Sequence, residues 1–317
     1  MLNDKFRSLN AECMDVQGDI SIKRQETLPW MRRLIIAACV LLTCGMALAE
    51  AAPRKVFVIT DMEGVSGLFD TDLQCLPFQS PRFEESRKLL TGEVNAAVDG
   101  LLEGGATEVV VWDGHDSSRT LSVLDIHPKV RLLAGVPVSP TLELDSSYSA
   151  VIFIGQHAMA GAEKGILSHS YSSLGIQNIW VNNKPVGEIG GRVMLAGYFG
   201  VPVVMLSGDT AACKELHDLV PAAECAEVKS GVSRTAGYMM PHAAACALIR
   251  EKARHAMDRL AEFKPYKMAG PAEVKVESTT RGTMEFRPQP GVEQTNDRTW
   301  VFRGKDIMEA WLKYSSF

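Results

Sequence analysis

Short apolar runs rich in β-branched residues alternate along the chain with stretches whose apolar residues recur at helical spacing. The first run, Val56-Phe57-Val58-Ile59-Thr60, passes directly into Asp61-Met62-Glu63-Gly64-Val65-Ser66-Gly67. A continuous apolar run closed by turn residues predicts a strand buried on both faces. From Pro81 to Leu102, the positions Phe83, Leu89, Leu90, Val94, Ala97, Val98 and Leu101 follow helical spacing, and Gly104-Gly105 closes the segment. A second strand, Thr107 to Trp112, ends on Asp113-Gly114-His115-Asp116. Strand, helix and strand on short links form a βαβ unit, whose right-handed crossover makes the strands parallel. The tail of the second strand therefore belongs at the same sheet edge as Asp61 and Glu63.

The pattern continues with strands at Val130–Leu133, at Ala150–Gly155 running into Gln156-His157-Ala158, and at Val201–Asp209. A hairpin is expected across Asn178–Glu188. Helices are expected at Gly190–Phe199, Thr210–Leu219, Pro241–Phe263 and Lys305–Tyr314, with further strands at 272–277 and 299–302. This is an α/β pattern with a mostly parallel sheet. Residues 263–317 stand as a candidate subdomain.

The N-terminal segment has a different character. Residues 1–30 are polar and of mixed charge. They are followed by Met31-Arg32-Arg33, an apolar run to Ala49, and Ala47-Leu48-Ala49 before Glu50. A basic start, an apolar middle and an A-x-A site read as a secretory signal peptide over 31–49. The run is shorter than the roughly 20 residues of a membrane span. Met31 is then the expected initiator, and 1–30 a non-native or disordered extension. The expectation is an exported, periplasmic protein with no stable membrane span after cleavage. An uncleaved anchor and a cytoplasmic location are the alternatives.

Composition narrows this little. With 46% hydrophobic and 22% charged residues the chain is ordinary globular protein, and a net charge of −5 gives no support for nucleic-acid binding. Of seven cysteines, Cys75, Cys213, Cys225 and Cys246 follow the signal. Their spacing fits no zinc ribbon or redox pair, so buried thiols are expected.

The chemistry lies at the strand ends. Asp61 and Glu63 follow the first strand, His115 the second and His157 the clear one after it. In an extended chain Asp61 and Glu63 point to one side, and two such carboxylates repel unless a cation or proton lies between them. Carboxylate and imidazole together suit zinc or a similar divalent ion. Glu188, ahead of Gly190-Gly191, is a candidate fifth ligand. One catalytic zinc uses about three protein ligands, whereas a two-metal site with a bridging carboxylate would use all five. His169, between Ser168 and Ser170 in a glycine-rich stretch, suits either a catalytic loop residue or a surface histidine. His127, His217, His242 and His255 have no acidic partner nearby in sequence and read as structural.

Asp61-Met62-Glu63-Gly64, Asp113-Gly114-His115, Gly155-Gln156-His157-Ala158, Ser168-His169-Ser170 and Pro185-Val186-Gly187-Glu188 together resemble, in order and spacing, the zinc-dependent D-aminopeptidases of the DppA type, peptidase family M55. The resemblance spans residues 54–317. It implies a three-layer α/β/α fold with a mostly parallel central sheet and a smaller C-terminal α+β portion. It implies two zinc ions per subunit held by Asp61, Glu63, His115, His157 and Glu188, with Asp61 bridging and His169 catalytic. It further implies a short peptide substrate with an N-terminal D-residue, typically D-alanine, and a ring-like homo-oligomer. Two other readings stay open. One is an exported zinc amidohydrolase acting on another amide, such as cell-wall peptides. The other is a non-catalytic periplasmic peptide-binding protein, whose usual two-lobed duplication is not visible in the sequence.

Overall fold

A computed structural model describes residues 53–135, 143–282 and 288–315. The signal-like segment 31–49 and the extension before it lie outside the described residues. Two sheets organise the remainder. The larger has seven strands in the order β3-β2-β1-β4-β7-β8-β9. Its strands are β1 (Lys55–Thr60), β2 (Glu108–Trp112), β3 (Val130–Leu133), β4 (Ala150–Gln156), β7 (Val203–Asp209), β8 (Glu224–Ser233) and β9 (Ala236–Met239). Every pairing is parallel except the last, β8 with β9. The smaller sheet, wholly antiparallel, runs β11-β12-β10-β5-β6. It comprises β5 (Ile176–Val181), β6 (Lys184–Pro185), β10 (Ala272–Ser278), β11 (Val292–Asn296) and β12 (Thr299–Gly304).

The period of two along β1 explains the layering. Val56 and Val58 face one core, while Phe57 and Ile59 face the other. After the short helix α1 (Thr71–Gln74), the first core is covered by α2 (Phe83–Glu103) and α5 (His242–Asp258), the second by α3 (Glu188–Tyr198) and α4 (Thr210–Leu219). Helices on both faces of a parallel sheet give the expected α/β/α sandwich. Helix α3 also turns Met194 and Leu195 into a third core. There they meet Trp300 and Phe302 of the small sheet and Trp311 of α6 (Ile307–Ser315). The small sheet thus draws its β5–β6 hairpin from the middle of the chain and the other strands from the C-terminal region. Asn182 and Asn183, both at positive φ (48° and 64°), form the hairpin turn, as a two-residue turn between right-twisting strands requires.

Strand order reverses between β1 and β4, since β2 and β3 extend one way and β7 and β8 the other. A crevice opens at such a switch point, beyond the carboxyl ends of the strands. Asp61 leaves β1 there and His157 leaves β4. Gly64 is essential to this junction: a Cβ at that position would lie 2.2 Å from the Gln156 carbonyl oxygen, and its own N–H bonds to Gly155 O at 2.7 Å.

Candidate metal centre

All six residues picked from sequence converge. His115 Nδ1 lies 3.2 Å from Asp61 Oδ1 and 3.0 Å from Glu63 Oε2. His157 Nε2 lies 3.2 Å from Asp61 Oδ2 and 3.3 Å from Glu188 Oε1. His169 Nε2 is 3.9 Å from the same Glu188 oxygen. Two triads result, Asp61/Glu63/His115 and His157/His169/Glu188, each with one ligand atom per residue inside a 4.8 Å span. Asp61 joins them, one carboxylate oxygen to each side.

The local chain explains the convergence. Asp61 N still bonds Ile154 O at 2.9 Å, continuing the β1–β4 pairing by one residue. The chain then turns rather than staying extended, with Val65 N on Met62 O at 3.1 Å. Asp61 and Glu63 therefore share a side because of a turn, not because of strand alternation. Glu188 is the first residue of α3, with Gly187 as its N-cap. Helix N-termini favour negative charge.

Each imidazole is fixed by a backbone acceptor at its far nitrogen. His115 Nε2 meets Cys75 O at 2.7 Å, His157 Nδ1 meets Ala158 O at 2.9 Å, and His169 Nδ1 meets Leu167 O at 2.9 Å. With the far nitrogen donating to a carbonyl, loss of the proton on the near nitrogen would turn its lone pair toward the space between the carboxylates, which is how metal-binding histidines are oriented. The carboxylates are held too: Asp61 accepts from Gln156 Nε2 (2.9 Å) and from Met62 N (2.8 Å), and Glu188 accepts from Tyr171 N (3.0 Å).

Electrostatics follow from burial and pairing. Burial alone would raise Asp61, but the imidazoles of His115 and His157 against its two oxygens outweigh it and hold the carboxyl well below its ordinary range. Glu188 is likewise brought down to about 2, burial being overcome by His157 and then His169 and Arg192. Burial opposes the charged forms of His115 and His157, yet the neighbouring carboxylates raise both far above an ordinary histidine. Glu63 Oε2 and His157 Nε2 are buried and, although within 3.3 Å of these oppositely charged neighbours, are not in hydrogen-bonding geometry with any described residue. Buried polar atoms left in that state mark a place for a further partner.

Two supporting residues have no signal in the sequence. Lys229 of β8 is buried, and its Nζ donates to the carbonyls of Glu63 and of Leu68, the latter at 2.7 Å. It pins the loop that carries Glu63. Glu215 of α4 accepts from Met159 N at 2.7 Å, and its other carboxylate oxygen packs against Gly187, so the side chain bridges the loop after His157 and the turn before Glu188. Burial pushes Glu215 up to about 7, against the pull of the Met159 N–H. Both act through backbone contacts that only the fold creates. His127, set aside as structural, lies 3.4 Å from Asp99, remote from the centre in the sheet. The four described cysteines are free thiols, Cys75 and Cys213 buried.

A family model for peptidase M55, described as D-aminopeptidase, matches residues 54–314. The chain belongs to peptidase family M55. This M55 chain is 34% identical over 261 residues to a D-aminopeptidase of Bacillus subtilis (strain 168), across 81% of its own length and 94% of the relative's. A solved structure, the Zn-dependent D-aminopeptidase DppA from Bacillus subtilis, described as a self-compartmentalizing protease, matches with a TM-score of 0.75 at 32% identity. The match covers 83% of the M55 chain and 96% of that protein. The fold and the family expected from the five motifs are therefore shown, and the chain is a hydrolase of the metallopeptidase class.

Proposed function

We propose that this protein is a zinc-dependent aminopeptidase that releases N-terminal D-residues, D-alanine foremost, from short peptides at a two-metal centre. One observation carries the reading: the two oxygens of Asp61 face two different histidines, each beside a further carboxylate. Asp61, Glu63 and His115 would hold one ion, and Asp61, His157 and Glu188 the other. Glu63 Oε2 and His157 Nε2, buried without a hydrogen bond of good geometry, fit such occupancy, and a mixed imidazole and carboxylate set suits zinc. When bound, a zinc pair polarises a carbonyl and lowers the pKa of a water to about 7.

The remaining chemistry belongs to the chain. His169 lines a cavity and keeps Nε2 free of hydrogen bonds by donating from Nδ1 to Leu167 O. In this reading it takes a proton from the attacking water and passes it to the leaving amine, as a general acid and base does. Gln156 and the Met62 N–H orient Asp61, while Glu215 sets the spacing between His157 and Glu188. A metal needs His115 and His157 neutral, whereas the neighbouring carboxylates favour their protonated forms, so metal uptake releases protons.

D-selectivity is supported by the family description and the relatives' names. The description of the Bacillus subtilis structure as a self-compartmentalizing protease supports a ring-like homo-oligomer here as well. Export completes the reading, since the signal-like segment 31–49 would deliver the enzyme to a compartment where cell-wall peptides contain D-alanine.

The test pairs metal analysis of the purified chain with turnover of D-Ala-D-Ala, L-Ala-L-Ala and N-acetyl-D-Ala-D-Ala. The expected result is about two zinc ions per chain and release from the free D-peptide alone. Cleavage of the N-blocked peptide would reject the aminopeptidase in favour of an amidohydrolase, and tight binding without turnover would mark a binding protein.

A further inference from the structure

The cavity beside His169 has a volume of about 760 Å³. Among the described residues that line it, Arg234 is the one fixed cation. Arg234 stands in the turn between β8 and β9. Its carbonyl accepts from Leu167 N at 2.8 Å, and its Nε donates to the Ser168 carbonyl at 3.4 Å. Both contacts are to the segment that ends in His169, so the guanidinium is held one residue back along the chain from the reactive imidazole. Asp70 and Asp72 line the same cavity, yet among the described residues no carboxylate lies within ion-pair distance of Arg234. Arg234 is exposed, and among the described residues its terminal N–H groups have no hydrogen-bond partner.

A guanidinium held by its Nε, with both terminal nitrogens free, is suited to bind a carboxylate through two parallel hydrogen bonds. We infer that Arg234 binds the C-terminal carboxylate of the substrate and so selects short peptides with a free C-terminus. The inference rests on the aminopeptidase reading. In a dipeptide the terminal carboxylate lies one residue beyond the scissile carbonyl, about 3.3–3.6 Å of extended chain. The site would then recognise both ends of its substrate, the amine at the metal centre and the carboxylate at Arg234.

The experiment compares kcat/KM for D-Ala-D-Ala and for its C-terminal amide, using the zinc-loaded full chain and its Arg234→Gln and Arg234→Lys variants. The wild type is expected to favour the free acid by about 10- to 100-fold, the range of a charge-assisted contact. Arg234→Gln brings that ratio close to one, chiefly through KM for the acid, and Arg234→Lys restores part of it. Raising the salt concentration shrinks the ratio in the wild type. A wild-type ratio near one overturns the inference while the aminopeptidase reading stands. Equal losses on both substrates in Arg234→Gln, with the ratio intact, also overturn it and reduce Arg234 to a brace for the His169 loop. Hydrolysis of neither substrate by the wild type overturns the aminopeptidase reading itself and this inference with it.

Discussion

His157 and His169 stack face to face, their ring centroids 4.0 Å apart and their planes 16° from parallel. Their exposures differ: the His157 side chain is 1% accessible and the His169 side chain 14%. Both turn Nε2 toward Glu188, but of the two it is His169 that lines the cavity. The pair divides a buried metal-type position from one able to reach a substrate.

His169→Ala is therefore expected to lower kcat by about 10²–10⁴ while zinc content stays at the wild-type level. Steady-state kinetics and metal analysis on one preparation check this. Loss of an ion in the variant would make His169 a ligand instead.

Asp61→Ala is expected to abolish binding of both ions, because it removes the oxygens facing His115 and His157 together. Glu63→Ala weakens mainly the ion on the His115 side. Titration of each apo variant with zinc separates the outcomes, and equal losses in the two would refute a bridging Asp61.

Lys229→Met removes the donor shared by the Glu63 and Leu68 carbonyls. Each carbonyl left buried and unpaired costs about 1–3 kcal/mol. A clear fall in Tm is expected together with weaker zinc binding, since the Glu63 loop loses its anchor. Calorimetry with and without zinc reads both.

Glu93 in α2 is fully buried, accepts from Ser66 N at 3.0 Å, and is pushed by burial from 4.5 up to about 8. Its folded-state pKa is above its unfolded one, so the folded state holds the proton more tightly. The stability this gives is complete below about 4.5 and is lost as pH rises toward about 8. Glu93→Gln keeps the acceptor for Ser66 and cannot ionise. Its Tm is expected to fall less than the wild type's across that window. Parallel Tm–pH curves for the two proteins would refute the assignment.

Gly64→Ala sets a methyl against the Gln156 carbonyl at a distance no Cβ tolerates. The β1–β4 junction must open, and both activity and zinc affinity are expected to drop although no functional side chain has changed. A crystal structure or zinc titration of the variant checks this.

Legibility in the sequence followed burial. β1, β2, β4 and β7 are buried on both faces, so they read as unbroken apolar runs. β11, Val-Glu-Gln-Thr-Asn, is almost wholly exposed and carries no such run, and β8 mixes buried and exposed positions around a lysine. The apolar pattern predicts neither. The partner of β5 was equally hidden, because β10 lies far along the chain and pairing register is not written in either strand alone. For the site, strand topology was enough to gather Asp61, Glu63, His115 and His157 at one edge. Glu188 and His169 needed the motif order. Lys229, Glu215 and Arg234 bond to main-chain atoms, and no residue pattern marks those contacts in advance.

Asp61, Glu63 and His115 all ride on neighbouring strands of the larger sheet, whereas Glu188 is reached through a hairpin that belongs to the smaller one. In mechanical terms, one triad is bolted to a single slab and the other straddles a joint. A distortion of the small sheet would thus reach Glu188 before it reached Asp61, Glu63 and His115: one triad has a stiff seat, the other a sprung one.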